Sequence, residues 1–124
     1  MTTAALAPSE NTIEWCRKLI RHQSVSMTPN LALIDEVKAF LDGLGYDTLV
    51  VRDPTDTKAN LYATIGPDVA GGVILSGHSD VVPTEGQNWA SDPYEIDIRD
   101  DKLYGRGSCD MKGFLACLLA KAET

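Results

Sequence analysis

The sequence predicts an α/β fold in which a mixed sheet is flanked by helices. Two stretches with apolar residues at helical spacing fill residues 10–44, strand-like apolar runs recur between residues 46 and 104, and an apolar helix-forming segment closes the chain. Elements in this order bury their apolar faces together only as layers, helix against sheet.

After a short frayed start, Ser9 and Glu10 are suited to cap a helix whose apolar positions Ile13, Cys16, Leu19 and Ile20 recur at helical intervals, ending near His22. Residues 24–29 read as a loop. Ile34, Val37, Leu41 and Leu44 then mark one face of a second helix, which Gly43 and Gly45 stop. Residues 46–51 are β-branched and apolar and predict a strand, residues 53–58 a turn. Leu61, Ala63 and Ile65 alternate with Asn60, Tyr62 and Thr64, the pattern of a half-buried strand. Val73, Ile74 and Leu75 form an unbroken apolar run, which predicts a central strand covered on both faces. Residues 84–93 read as a loop. Tyr94, Ile96 and Ile98 alternate with polar neighbours as in a solvent-facing strand, and Asp100 and Asp101 turn the chain into residues 102–104. Residues 111–122 predict a buried helix with Asp110 as its N-cap. Neither Gly nor Pro follows this last helix, so the 124 residues are expected to be a piece of a longer domain.

Composition narrows the function classes. The chain carries 11 Lys and Arg against 18 Asp and Glu, a net charge of -7 with no basic block, which argues against nucleic acid and anionic membrane surfaces as partners. No stretch approaches a spanning helix and the start lacks the basic flank of a signal peptide, so a cytoplasmic location is expected. Cys16, Cys109 and Cys117 are an odd set without paired spacing and read as reduced thiols.

Two clusters carry the chemistry: residues 77–83, Gly-His-Ser-Asp-Val-Val-Pro, and residues 105–113, Gly-Arg-Gly-Ser-Cys-Asp-Met-Lys-Gly. His78 and Asp80 follow the predicted central strand at its carboxyl end, where open α/β sheets place their ligand crevices. In extended chain the two side chains point the same way, so Asp80 can hold one ring nitrogen of His78 and leave the other for a metal. Taken alone, the same triplet reads first as a turn residue beside a satisfied histidine. Asp110 reads either as a helix cap or as a carboxylate able to bridge two cations. Cys109 is a soft ligand, a reactive thiol or an inert side chain. Arg106 and Lys112 are candidates to offset the acidic site or bind a carboxylate, and Trp89 with Tyr94 to line a cleft; all four read equally as solvated charges and core aromatics.

Three familiar chemistries fail on spacing. Asp110 stands where a dinucleotide fingerprint needs its third glycine, no phosphate-loop lysine motif exists, and Val81 replaces the last glycine of the elbow that would make Ser79 a nucleophile.

Together the two clusters resemble the signature of the M20 metallopeptidase family: residues 77–83 are similar to its G-H-x-D-x-V-P segment, residues 105–113 to its G-R-G-x-x-D-M-K-G segment, and residues 89–94 to the W-x-x-x-P-F/Y stretch between them. The resemblance implies part of a zinc-peptidase-like catalytic domain, with residues 1–124 its amino-terminal portion and the lid and dimerisation domain outside the chain. It implies His78 as a ligand of one metal, Asp80 as the catalytic-site aspartate that orients it, and Asp110 as the bridge between two divalent ions, zinc or cobalt. The implied activity is hydrolysis of a small N-acyl amino acid, with N-acetylornithine the leading substrate and ornithine and acetate the products, a step of arginine biosynthesis. N-succinyl-diaminopimelate is the alternative substrate, and the complete protein is expected to be a homodimer. The family mechanism also uses a Glu-Glu pair, a later acidic ligand and a distant histidine. No two glutamates adjoin here and His22 is the only other histidine, so the chain by itself is expected to be incompetent. From another class altogether, it reads as a noncatalytic binding module or a subunit completed by another chain.

Overall fold

The computed structural model describes residues 7–124. The frayed start expected before Ser9 falls largely in residues 1–6, outside the described residues.

Helix α1 (Glu10–Arg21) begins where Ser9 Oγ accepts the amide of Thr12 at 3.1 Å, and it buries Trp15, Cys16, Leu19 and Ile20. Helix α2 (Leu31–Gly43) buries Leu33, Ile34 and Leu41. Its N-cap, Asn30, spends its side chain elsewhere: the amide donates to the Ala59 carbonyl at 3.0 Å and accepts the Ala59 amide at 2.9 Å. A side-chain amide thereby mimics a strand neighbour and ties the start of α2 to the next hairpin. Past the helix, Gly45 takes a φ of 89°, the left-handed conformation that glycine adopts without penalty.

Strands β1 (Asp47–Arg52) and β2 (Ala59–Thr64) pair antiparallel, with Leu49 opposite Tyr62 and Val50 opposite Leu61. Val50, Leu61 and Ala63 face the core, whereas Leu49, Val51 and Tyr62 lie open on the outer face. The turn between the strands is organised by Asp53, whose carboxylate accepts the amides of Thr57 and Lys58 and the hydroxyl of Thr55. These bonds, Thr55 first, lower its pKa to about 2.

The expected central strand is the main correction to the predicted elements. Val73, Ile74 and Leu75 belong to no strand and are 85%, 78% and 61% exposed. An apolar run becomes a buried strand only when neighbours satisfy its amides and cover its faces, and no flanking strand exists among the described residues. The α/β class holds, expressed as two separate antiparallel hairpins against helices.

The second hairpin, β3 (Asp97–Arg99) with β4 (Lys102–Tyr104), turns through Asp100 and Asp101 at φ 51° and 59°. Positive φ at both central residues is the two-residue turn that matches strand twist, and aspartate tolerates it. Tyr94 and Ile96 stand outside the strand expected for them, because Asp92 Oδ1 accepts the Tyr94 amide at 2.9 Å and folds residues 92–95 into a turn. Helix α3 (Lys112–Ala122) packs on α1 through Ala116 and Leu119, and the Tyr46 hydroxyl donates to the Ala122 carbonyl at 3.2 Å. It is buried on one face only, with Phe114 open on the other. Trp15 meets Phe40 edge-on at 4.6 Å, joining α1 to α2. No helix among the described residues is long and apolar enough to cross a membrane.

Candidate metal centre

The loop after α1 anchors the first cluster. Val25 and Val81 form a parallel bridge, the Ser26 amide donates to the Val81 carbonyl at 2.9 Å, and the Val81 amide donates to the Ser24 carbonyl at 3.0 Å. Ser24 Oγ adds a bond to the Ser79 carbonyl at 2.7 Å. Val81 is buried, so His78 and Asp80 rise from a short segment pinned on both sides.

The second cluster crosses over this anchor. Gly107 has φ 89°, and a Cβ there would lie 2.7 Å from Val81 Cγ1, so only glycine lets the loop pass so close. The Lys112 amide donates to the Gly107 carbonyl at 2.8 Å, closing the loop into α3. Asp110 is not the cap expected of it. Met111 occupies that position without a side-chain cap bond, the Asp110–Met111 peptide is cis, and the Asp110 carboxylate is free to reach across the cleft.

There it meets His78. His78 Nε2 lies 2.9 Å from Asp110 Oδ1, while Nδ1 lies 3.0 Å from the Asp80 carbonyl and 3.2 Å from Asp80 Oδ1. Both ring nitrogens face oxygen acceptors, so either neutral tautomer leaves a nitrogen lone pair against an oxygen. A positive particle relieves that repulsion, and this raises the His78 pKa: the Asp80 carbonyl contributes most, desolvation opposes it, and the Asp110 carboxylate bond and the two negative charges add to the rise. Asp80 is held below the usual carboxylate range, chiefly by the Ser26 hydroxyl bonded to Oδ2 at 2.5 Å.

An open cleft of about 340 Å³ lies over these groups, lined among others by Ser26, His78, Asp80, Trp89, Arg106 and Asp110. The Arg106 guanidinium stacks over the Trp89 ring at 5.1 Å and donates to Gln87. Cys109 is an exposed free thiol lining the same cleft, whereas Ser79 and Tyr94 are not among its lining residues. Lys112, weighed above as a charge beside the site, is fully buried with Nζ on the His22 carbonyl at 2.8 Å. His22 stands apart from the cleft, its Nε2 paired with Glu36 at 2.6 Å. Ser24 and Ser26 carry no signature in the sequence, because two serines in a loop announce no partner before the chain folds.

His78 and Asp110 suit a divalent cation in kind and placement. Two atoms bound tetrahedrally to one zinc ion lie about 3.3 Å apart, so the observed 2.9 Å contact needs to open only slightly to admit one. Asp110, its side chain 86% exposed, keeps a second oxygen for another ion. The fit is that of a half-site, since no group of three potential ligands is assembled among the described residues and zinc centres use three or four.

Residues 74–124 match the sequence model of Peptidase family M20/M25/M40. Over 114 residues, 86% of this chain, the sequence is 40% identical to the acetylornithine deacetylases of Proteus mirabilis (strain HI4320) and Photorhabdus laumondii, in each case covering 29% of the relative. The chain thus resembles acetylornithine deacetylase and spans less than a third of the length of the relatives it matches. Among solved structures, human carnosine dipeptidase 1 superposes with a TM-score of 0.71 and 26% identity, over 90% of this chain and 27% of that one.

Proposed function

We propose that this chain contributes half of the metal site of a two-metal amide hydrolase that removes the acyl group from N-acyl amino acids, with N-acetylornithine the substrate and ornithine and acetate the products. The observation that carries this reading is His78 held between Asp80 and Asp110, with Nε2 and a carboxylate oxygen 2.9 Å apart at an open cleft. The 40% identity to proteins named acetylornithine deacetylase supports the choice of substrate, with N-succinyl-diaminopimelate the alternative. The complete protein is read as a cytoplasmic homodimer of arginine biosynthesis.

In this reading His78 Nε2 would be a ligand of one ion and the Asp110 carboxylate would be shared between two, and zinc or cobalt held there would supply polarisation of a carbonyl and a more acidic water near neutral pH. Asp80 works one step removed: it holds Nδ1, so that the Nε2 lone pair faces the cleft and the ring is a better donor. Arg106, stacked on Trp89, keeps a fixed positive charge on the cleft wall, where the carboxylate of an amino-acid substrate is attracted. A general base is still required, and no adjacent glutamates supply one here. The chain alone is therefore expected to bind metal weakly and not to turn over.

The test is complementation. The 124-residue chain is mixed with the polypeptide that completes an acetylornithine deacetylase, with zinc or cobalt present, and release of ornithine is measured. Activity from the mixture and none from either part supports the reading. Turnover by the homogeneous chain alone refutes its incompetence, and a stable inert monomer that ignores both metal and the second polypeptide favours a noncatalytic binding module.

A further inference from the structure

We propose that Ser26 is a positioning residue of this site, its hydroxyl fixing the Asp80 carboxylate and through it the orientation of the His78 imidazole. The catalytic consequence rests on the hydrolase reading above; the mechanical role does not.

The two oxygens of Asp80 are divided between two partners. Oδ2 accepts the Ser26 hydroxyl at 2.5 Å, and Oδ1 faces His78 Nδ1 at 3.2 Å. Rotation of the carboxylate changes both contacts together, so the serine biases which way the oxygen facing the ring points, beside the Asp80 carbonyl that meets the same Nδ1 at 3.0 Å. Asp80 needs such a partner: its side chain is 55% exposed, and without a second bond its rotamers are free to exchange with water as competitor. A hydrogen bond to an ionised oxygen is among the stronger kinds, which suits it to this task.

Ser26 is itself held where it can do this. Its amide bonds the Val81 carbonyl, Val25 bridges Val81, and Ser24 fixes the Ser79 carbonyl and the Val81 amide, so the loop grips the chain on either side of Asp80. These backbone bonds and the Ser24 hydroxyl survive loss of the Ser26 hydroxyl. The loop is therefore expected to stay in place when that hydroxyl is removed, while the carboxylate is released. That separates positioning from a merely structural role. The next residue, Met27, takes φ 74°, an uncommon conformation for a side chain of its size, at the exit of this grip.

The experiment compares Ser26→Ala and Ser26→Thr with the unaltered 124-residue chain. The ratio of the two neutral His78 tautomers is read from imidazole ¹⁵N shifts at pH 8 without metal, and Zn²⁺ affinity is read by competition with a chelating dye. Ser26→Ala is expected to shift the tautomer ratio and weaken Zn²⁺ binding about tenfold, the low end of what loss of an outer partner does to a metal site; Ser26→Thr, which keeps the hydroxyl, restores both. If Ser26→Ala leaves the ratio unchanged while Asp80→Ala moves it, the proposal is overturned. Should the alanine variant melt out, Ser26→Cys, a weaker donor of similar shape, must move the ratio in the same direction, and no movement there overturns the proposal too. A chain that shows the tautomer shift yet gives no ornithine release with the completing polypeptide and Zn²⁺ sinks the hydrolase reading and leaves the positioning role standing.

Discussion

Lys112 Nζ donates to the backbone carbonyl of His22 at 2.8 Å, across 90 residues of sequence, with its side chain shut away from solvent. The carbonyl belongs to the residue closing α1, and a helix carboxyl end carries partial negative charge, so an ammonium is a fitting partner. The bond ties the start of α3, and the loop delivering Asp110, to the end of α1.

Burial pulls the Lys112 pKa from 10.5 to about 8. A lysine whose folded pKa lies below its unfolded value weakens the fold while charged; that penalty is complete below about pH 8 and fades as pH rises toward 10.5. In urea unfolding, the wild type is expected to gain on Lys112→Met by roughly 3 kcal/mol between pH 7 and pH 10.5. A stability difference independent of pH would show that the ammonium is better solvated than its burial implies.

His78→Ala and Asp110→Asn are each expected to weaken Co²⁺ binding by more than about tenfold, because each removes one of the two proposed ligands. Asp80→Asn is expected to have a smaller effect, since it loosens the ring without removing a donor. Visible absorption of the Co²⁺ complex ranks the three, and an Asp80 variant weaker than the other two would reverse the assigned roles.

Two glycines give opposite expectations. A Cβ at Gly113 would sit 2.2 Å from the Ser108 carbonyl oxygen, so Gly113→Ala is expected to destabilise the chain by about 3 kcal/mol. Gly43 ends α2 with nothing within 4 Å of such an atom, and Gly43→Ala is expected to stabilise by about 0.5 kcal/mol. Thermal melts of the pair decide both.

Asp53, with its pKa lowered to about 2, stabilises the β1–β2 turn while ionised. That contribution is present above the unfolded value of 3.8 and is lost as pH falls through about 2. Asp53→Ala should therefore melt below the wild type at pH 7, with the gap closing between pH 4 and pH 2; a constant gap would mean that the turn does not depend on the charge.

Ile74→Asp is expected to change stability by no more than about 0.5 kcal/mol, because the side chain it replaces is open to solvent. Binding of an apolar dye to the chain should fall at the same time. A large loss of stability would place Ile74 in a core.

Much of the fold is legible in local pattern. Ile13, Cys16, Leu19 and Ile20 announce α1, Leu61 and Ala63 announce the inner face of β2, and Asp100 with Asp101 announces a turn, because spacing along the chain dictates which side chains share a face. Val73, Ile74 and Leu75 show where that logic ends: apolar content predicts burial, but burial needs neighbours that the described residues do not provide. Asp110 reads as a cap or as a ligand, since its residue type serves both, and Lys112 reads as a charge beside the site or a solvated one, because nothing nearby in sequence names the His22 carbonyl.

From residue order alone came the class of the fold, the two clusters and His78, Asp80 and Asp110 as candidate site residues, all matters of residue type and short-range spacing. Assembly decided the rest: that Nε2 of one cluster meets a carboxylate of the other, that Ser26 holds the second oxygen of Asp80, and that Lys112 turns inward. Those contacts join residues 32, 54 and 90 positions apart, and the direction a side chain takes over such separations is set by how helices and loops pack, which no local pattern encodes.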